Sequence, residues 1–290
     1  MRNLSPQKWM ELIPDSTPIC KIKIPGTHNS GAGPNTAKSI SKMINFAAQC
    51  HGLDIKEQIN QGIRYVDVRL KLDNECLNIY HGMIKYNSSF SKVLQDISNF
   101  LRENPSEAIF MRIHREDSDI KARRKNISDE QFMSNLVNYL RQYENIIYTN
   151  ENPNPTLGEV RGKFMIFDMR HVENPQAYSP YKIYKMVKQS EYKLKSTRQG
   201  IQNKVSCVKE GMSESIRQDG ELFVNEVNSV GSVPVMSFIP SPKRMAEIMN
   251  NEVEKLLMNR IPFQGVLMFD FPEISNSGRL IEMVYEQNFT

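Results

Sequence analysis

Short apolar runs alternate with longer stretches of helical periodicity along almost the whole chain, and this alternation limits the fold more than any other feature. The runs Cys20–Ile24, Ile63–Leu70, Cys76–Tyr80, Ala108–His114, Lys163–Asp168, Leu222–Val227 and Gly265–Phe271 read as strands. Helical spacing falls between them, over Leu53–Gln61, Phe90–Arg102, Asp129–Tyr143 and Met245–Met258. In Phe90–Arg102 the apolar positions Val93, Leu94, Ile97, Phe100 and Leu101 share one helical face. Strands and helices in alternation predict a parallel sheet with helices outside it. With 290 residues to build from, the expected fold is α/β, a single-domain, irregular TIM-type (β/α) barrel with core motifs over 19–170 and 221–275. A doubly wound sheet is the alternative. No glycine-rich GxGxxG or GKS/T loop follows the first strand, which weakens its nucleotide-binding version.

A chain of this length buries a core without staples. Its four cysteines form no CxxC pair, so they are expected to be free thiols, with neither a disulfide framework nor a zinc site. The net charge of +4 is too small to imply nucleic acid. The N-terminus MRNLSPQKWMELIPDS carries no apolar run of a signal peptide. No segment reaches the ~18 consecutive apolar residues of a membrane span. The chain as written is therefore expected to be cytoplasmic, or secreted if its start has been trimmed.

Polar residues collect where the predicted strands end. The first runs into Gly26-Thr27-His28-Asn29, and the second places Asp67 and Arg69 on one face. The third ends at His81, the fourth at Arg112-Ile113-His114-Arg115-Glu116, the fifth at Asp168, and the last at Asp270. In a parallel barrel that end carries the active site. Taken singly, each residue has a structural reading. A lone strand-end histidine is more often structural, Asp67 and Arg69 could be a buried pair, Asp270 could cap a helix, and His51 reads as structural. Their convergence outweighs any one of them.

The segments IPGTHNSG, QGIRYVDVRL and IYHG, followed by ENPSEAIFMRIHRE, LGEVRGKFMIFD and VLMFDFPE, resemble the X domain of phosphatidylinositol-specific phospholipase C in its bacterial form. The likeness covers most of the chain and is least clear over 172–220. It implies an irregular TIM barrel and a phosphodiester cleavage without cofactor or metal, giving diacylglycerol and inositol 1,2-cyclic phosphate. His28 matches the general base, His81 the general acid, Arg69 the phosphate-binding arginine, and Asp67 its carboxylate companion. Asp270 matches the aspartate that orients the base. Arg161 matches an arginine that holds inositol hydroxyls, Tyr192 a tyrosine that stacks on the ring, and His114 or Arg115 falls where the family often has an inositol-binding lysine. The chemistry suits these types. Two histidines supply base and acid near neutral pH, and a guanidinium fits the phosphoryl charge. Asn29 stands where the bacterial enzymes usually have an aspartate that pairs with the acid histidine. The calcium-dependent relatives share this asparagine, but they carry a carboxylate where Arg69 stands.

Two other readings compete. Metal-dependent glycerophosphodiester phosphodiesterases need a Glu-x-Asp pair where this chain has Asp67-Val68-Arg69. A catalytically weak or inactive barrel that binds lipid or protein is favoured only by Asn29. The expected partner is a phosphatidylinositol or glycosyl-phosphatidylinositol lipid at a membrane surface, met by a monomer. A stretch from Lys182 to Lys209, rich in lysine and interleaved with Tyr178, Tyr181, Tyr184 and Tyr192, is a candidate rim for anionic lipid.

Overall fold

The computed structural model describes residues 4–34, 48–116, 127–191, 193–194, 198–231 and 242–289. Its strands are β1 (Lys23–Thr27), β2 (Tyr65–Asp73), β3 (Cys76–His81), β4 (Ile84–Ser89), β5 (Ile109–Arg115) and β6 (Phe164–Arg170), followed by the short β7 (Ile183–Tyr184), β8 (Val187–Gln189) and β9 (Lys193–Leu194). The last are β10 (Phe223–Glu226), β11 (Val230–Gly231) and β12 (Gly265–Phe269). The main sheet runs β7-β6-β5-β2-β1-β12-β10-β8, and every neighbouring pair along that path is parallel. This is the curled barrel that the alternation predicts. Among the described residues β7 and β8 are the two ends of the path. An ion pair between Lys188 on β8 and Asp168 on β6, 3.6 Å apart, links the two sides.

The predicted start of the first strand is too early. Ile19–Lys21 is a 3-10 turn, and the strand runs on through Pro25 and Gly26 to Thr27. Gly26 permits this, because a Cβ there would lie 2.8 Å from Val266 Cγ1 and 3.0 Å from Tyr65 Cβ. His28 follows at once, with its N–H bonded to Phe269 O on β12. The helix Ile55–Asn60 starts where Asp54 and Glu57 form a reciprocal capping box. The helix Phe90–Glu103 buries all of the apolar positions read from its spacing. Each such side chain contributes ~1.5–3 kcal/mol on full burial, which exceeds any propensity difference along the helix.

The third predicted strand is real but does not belong to the parallel path. β3 returns antiparallel to β2, with Leu70 opposite Ile79 and Asp73 opposite Cys76, and then pairs with β4. Local hairpin pairing decides this. The two-residue turn Asn74–Glu75 has positive φ at both positions, the geometry of a tight hairpin. His81 therefore reaches the barrel mouth on a strand that runs back toward it. The helix Arg198–Ser215 lies outside the helical stretches that the spacing predicts. Its apolar positions Ile201, Val205, Val208 and Met212 do pack into the core, but Gly200, Lys204, Gly211 and Ser215 lie on the buried side with them and dilute the pattern.

The lysine-rich stretch is not one exposed face. Lys204 is buried, with its ammonium donating to Glu226 O and Glu191 O. Lys182 pairs with Glu151, Lys188 with Asp168, and Tyr181 and Tyr184 belong to the core. Lys185 and Lys209 are exposed.

Candidate active site

The base candidate is built by two adjacent parallel strands. β1 delivers His28 and β12 delivers Asp270, and Nδ1 of His28 lies 2.9 Å from Asp270 Oδ1. The other ring nitrogen, Nε2, faces Nη2 of Arg69 at 2.6 Å. A guanidinium only donates. Nε2 must therefore accept, and the proton sits on Nδ1, donated to Asp270. A buried His51 holds the backbone of the same residue, donating from its own Nε2 to His28 O across 2.6 Å. Burial keeps the His51 imidazole below its usual range, hence neutral and suited to that single bond.

Arg69 stands between two carboxylates. Its Nε is 3.4 Å from Asp67 Oδ2 and its Nη1 is 3.2 Å from Glu116 Oε1. Asp67 has a nearer partner, however. Arg112 Nε donates to Asp67 Oδ1 at 2.9 Å, Arg112 Nη2 is 2.8 Å from Asp67 Oδ2, and Arg112 Nη1 bonds Glu226 Oε1 at 2.8 Å. Burial alone would raise the Asp67 carboxyl, yet Arg112 and then Arg69 hold it well below the usual carboxylate range. The Asp67–Arg69 pairing expected from their shared face is thus a three-strand network whose core is Asp67–Arg112–Glu226. Arg112 and Glu226 were not assigned from the sequence. Strand alternation could have found Arg112, which shares a face with His114 and sits in register with Asp67.

The acid candidate lies on the hairpin side of the mouth. His81 Nδ1 is 2.8 Å from Ala48 O, which also accepts from Tyr86 Oη. Burial, and then the Arg69 charge, lower its pKa to about 4. The following residue, Gly82, donates its N–H to Glu116 Oε2, so one carboxylate ties Arg69 to the turn after His81.

Asn29 makes no hydrogen bond to His81 among the described residues. Its backbone is left-handed, with φ 46°, and its N–H donates to Asp67 Oδ2 at 2.9 Å. Its buried amide points to Cys50 instead, with Nδ2 4.0 Å from Sγ. The segment Ala48–His51 thereby serves both histidines, through Ala48 O to His81 and through the His51 ring to His28. Cys50 between them pairs its backbone with Ala32 and Phe271.

Four expected substrate contacts fare differently. His114 lies on the inner face, in register with Arg69, with its ring 4.6 Å from that of His171. Burial, and then Arg69, push its pKa down to about 2. Arg115 points the opposite way, as the next residue of a strand must. It bonds Asp129 and Ile127 O and lies over the Phe132 ring, outside the barrel. Arg161 is also misplaced by the sequence reading. It precedes β6, at the N-terminal end of the barrel strands, opposite the mouth. Its guanidinium is spent on Asp15 Oδ1 (2.6 Å), Ile13 O (2.7 Å), Met10 O (3.1 Å) and Ser106 O. It pins the N-terminal segment to the barrel floor. Tyr192 lies outside the described residues.

The mouth thus gathers a histidine whose acceptor nitrogen is held by a guanidinium, a second histidine on the hairpin side, and that guanidinium fixed between carboxylates. Comparison with known families gives residues 23–170 as a match to "Phosphatidylinositol-specific phospholipase C, X domain". The chain belongs to that family. Within the X-domain family, a 1-phosphatidylinositol phosphodiesterase of Listeria monocytogenes is 29% identical over 283 residues, covering 93% of this chain and 83% of the relative. One from Staphylococcus aureus (strain Newman) is 32% identical over 168 residues, covering 57% of this chain and 51% of its own. The solved phosphatidylinositol-specific phospholipase C from Listeria monocytogenes superposes with a TM-score of 0.79 at 27% identity, covering 98% of this chain and 99% of its own.

Proposed function

We propose that this X-domain protein is a phosphatidylinositol-specific phospholipase C that cleaves the glycerol–phosphate bond without a metal ion. The observation that carries the mechanism is the bond from Arg69 Nη2 to His28 Nε2, which identifies that nitrogen as the unprotonated one, able to take a proton once the guanidinium turns to the phosphate. His28 takes the proton of the inositol 2-hydroxyl, and Asp270 stabilises the imidazolium that forms. The freed oxygen attacks phosphorus, the bond to the glycerol oxygen breaks, and a five-membered cyclic phosphodiester results. On binding, the phosphoryl group takes the guanidinium of Arg69 away from His28, so the base and the phosphate share one cation in turn. His81 protonates the departing diacylglycerol oxygen.

His81 with a pKa of about 4 is neutral at pH 7 in the free protein. The phosphodiester adds an anion beside it and offsets the Arg69 charge, which favours the imidazolium. The acid is therefore armed by its substrate. The sequence departure at Asn29 is consistent with this, since no carboxylate at that position supports the charge. A cation site for calcium would need the space between Asp67 and Glu116, and the Arg69 guanidinium fills it.

The substrate lies in a membrane. No helix of the described residues is long and apolar enough to cross one. Met83, 77% exposed in the turn two residues after His81, suits contact with the acyl chains next to the leaving oxygen.

Phosphorus NMR of phosphatidylinositol in mixed micelles with excess EDTA tests the proposal. The expected result is the signal of a five-membered cyclic phosphate. Product only after Ca²⁺ is added would overturn metal independence, and no product in either case would overturn the function.

A further inference from the structure

We propose that the base end of this site also forms an inhibitory binding site for a soft divalent cation of the zinc class, held by His28, Cys50 and Asp270. One imidazole nitrogen, the Cys50 sulfur and one carboxylate oxygen lie within 4.8 Å of one another. Nδ1 is the nitrogen turned toward Asp270. A nitrogen, a sulfur and an oxygen ligand match zinc preferences, bonds of ~2.0–2.3 Å would draw the most distant of these atoms inward, and the thiolate selects against calcium and magnesium.

A second observation concerns the amide next to the cluster. Asn29 Oδ1 is buried and has no hydrogen-bond partner among the described residues. An unmet buried acceptor costs ~1–3 kcal/mol. The amide already faces the cluster, with Nδ2 4.0 Å from Cys50 Sγ. Turned over, the amide presents Oδ1 there as a fourth ligand.

Binding has a defined proton balance. The Cys50 thiol, kept protonated by burial and by Asp270, releases its proton to solvent as the metal–sulfur bond forms. The Nδ1 proton that His28 shares with Asp270 moves to Nε2 as the metal–nitrogen bond forms. An imidazole protonated at Nε2 and metallated at Nδ1 has no lone pair for the inositol hydroxyl. It also presents a donor to the Arg69 donor that now lies 2.6 Å away, so the guanidinium is driven off. The cation therefore disables the base without blocking the mouth. Only this inhibitory consequence rests on the proposed function, because binding itself can be read without turnover.

The test uses the full chain with Cys76→Ser and Cys207→Ser, which removes the exposed and half-buried thiols and leaves Cys20 and Cys50. Cd²⁺ is the spectroscopic probe, read by its ultraviolet thiolate charge-transfer band. The expected result is a saturable band that Cys50→Ala removes. Zn²⁺ should suppress cyclic phosphate formation, EDTA should restore it, and Mg²⁺ should have no effect. Cys50→Ala should raise the Zn²⁺ concentration needed by at least about tenfold, as loss of even a ligand's supporting partner does. Cys50→Ser, which keeps a hydroxyl against Asp270, replaces it if the alanine variant does not fold. A cadmium band that survives both changes, or a zinc sensitivity that they leave intact, overturns the proposal. A protein that shows the Cys50-dependent band but never forms product would overturn the function and leave the site standing.

Discussion

Nη2 of Arg69 donates to Nε2 of His28 across 2.6 Å, while Asp270 receives the proton on the opposite nitrogen. The guanidinium thus fixes which tautomer the base holds, in addition to offering charge to a phosphate. Its fork also spans Asp67 and Glu116, so its position is set by three partners on separate segments.

Arg69→Lys is expected to lower kcat by about 10²–10³-fold, the size of a lost preorganised donor, with a smaller change in KM. A lysine keeps the charge but cannot reach His28, Asp67 and Glu116 together. Steady-state kinetics on mixed micelles at matched interfacial concentration decide it. A loss confined to KM would assign Arg69 to binding alone.

In the free protein the His81 ring should titrate at about 4. With a soluble inositol phosphate bound, its midpoint should move up, because the anion favours the imidazolium. Histidine-labelled NMR across a pH series, with His81→Asn for assignment, reads both. A midpoint that ignores the ligand would remove His81 from the acid role.

Acid stability follows from the same burial. His81 and His114 have folded-state pKa values of about 4 and about 2, both below the ordinary histidine value of 6.5. The unfolded chain therefore binds more protons below pH ~6.5. Stability is full above that pH and falls as pH drops toward 4, by at most ~1.4 kcal/mol per pH unit for each histidine. Urea midpoints at pH 7, 6 and 5 should decline, and His114→Asn should flatten the decline. Carboxylates that protonate in the same window would add slope that the variant leaves unchanged.

Arg112→Met is expected to destabilise the fold by about 3–5 kcal/mol, because Asp67 and Glu226 would be left buried without their cation. Denaturant unfolding measures it. A change under 1 kcal/mol, roughly a surface value, would mean the network is dispensable.

Arg161→Ala should lower Tm while leaving KM for a soluble cyclic inositol phosphate unchanged, since its bonds all go to the floor of the barrel. A raised KM with unchanged Tm would return it to the substrate.

The sequence by itself determined the parallel barrel and which segment ends supply the mouth. Apolar periodicity and strand length depend on local backbone geometry, and these are written in the order of residues. It also determined His28, Arg69 and Asp270 as candidates, because each follows or lies within a strand whose direction the alternation sets. Tertiary structure alone decided the partners. Arg112 and Glu226 neutralise Asp67 from β5 and β10, segments far apart in the chain. Ala48 and His51 reach the two histidines from a segment between the first strand and the first predicted helix. Arg115 and Arg161 sit beside the right motifs but face away from the mouth. One step along a strand reverses a side chain, and the other end of a strand lies a full barrel height from the chemistry.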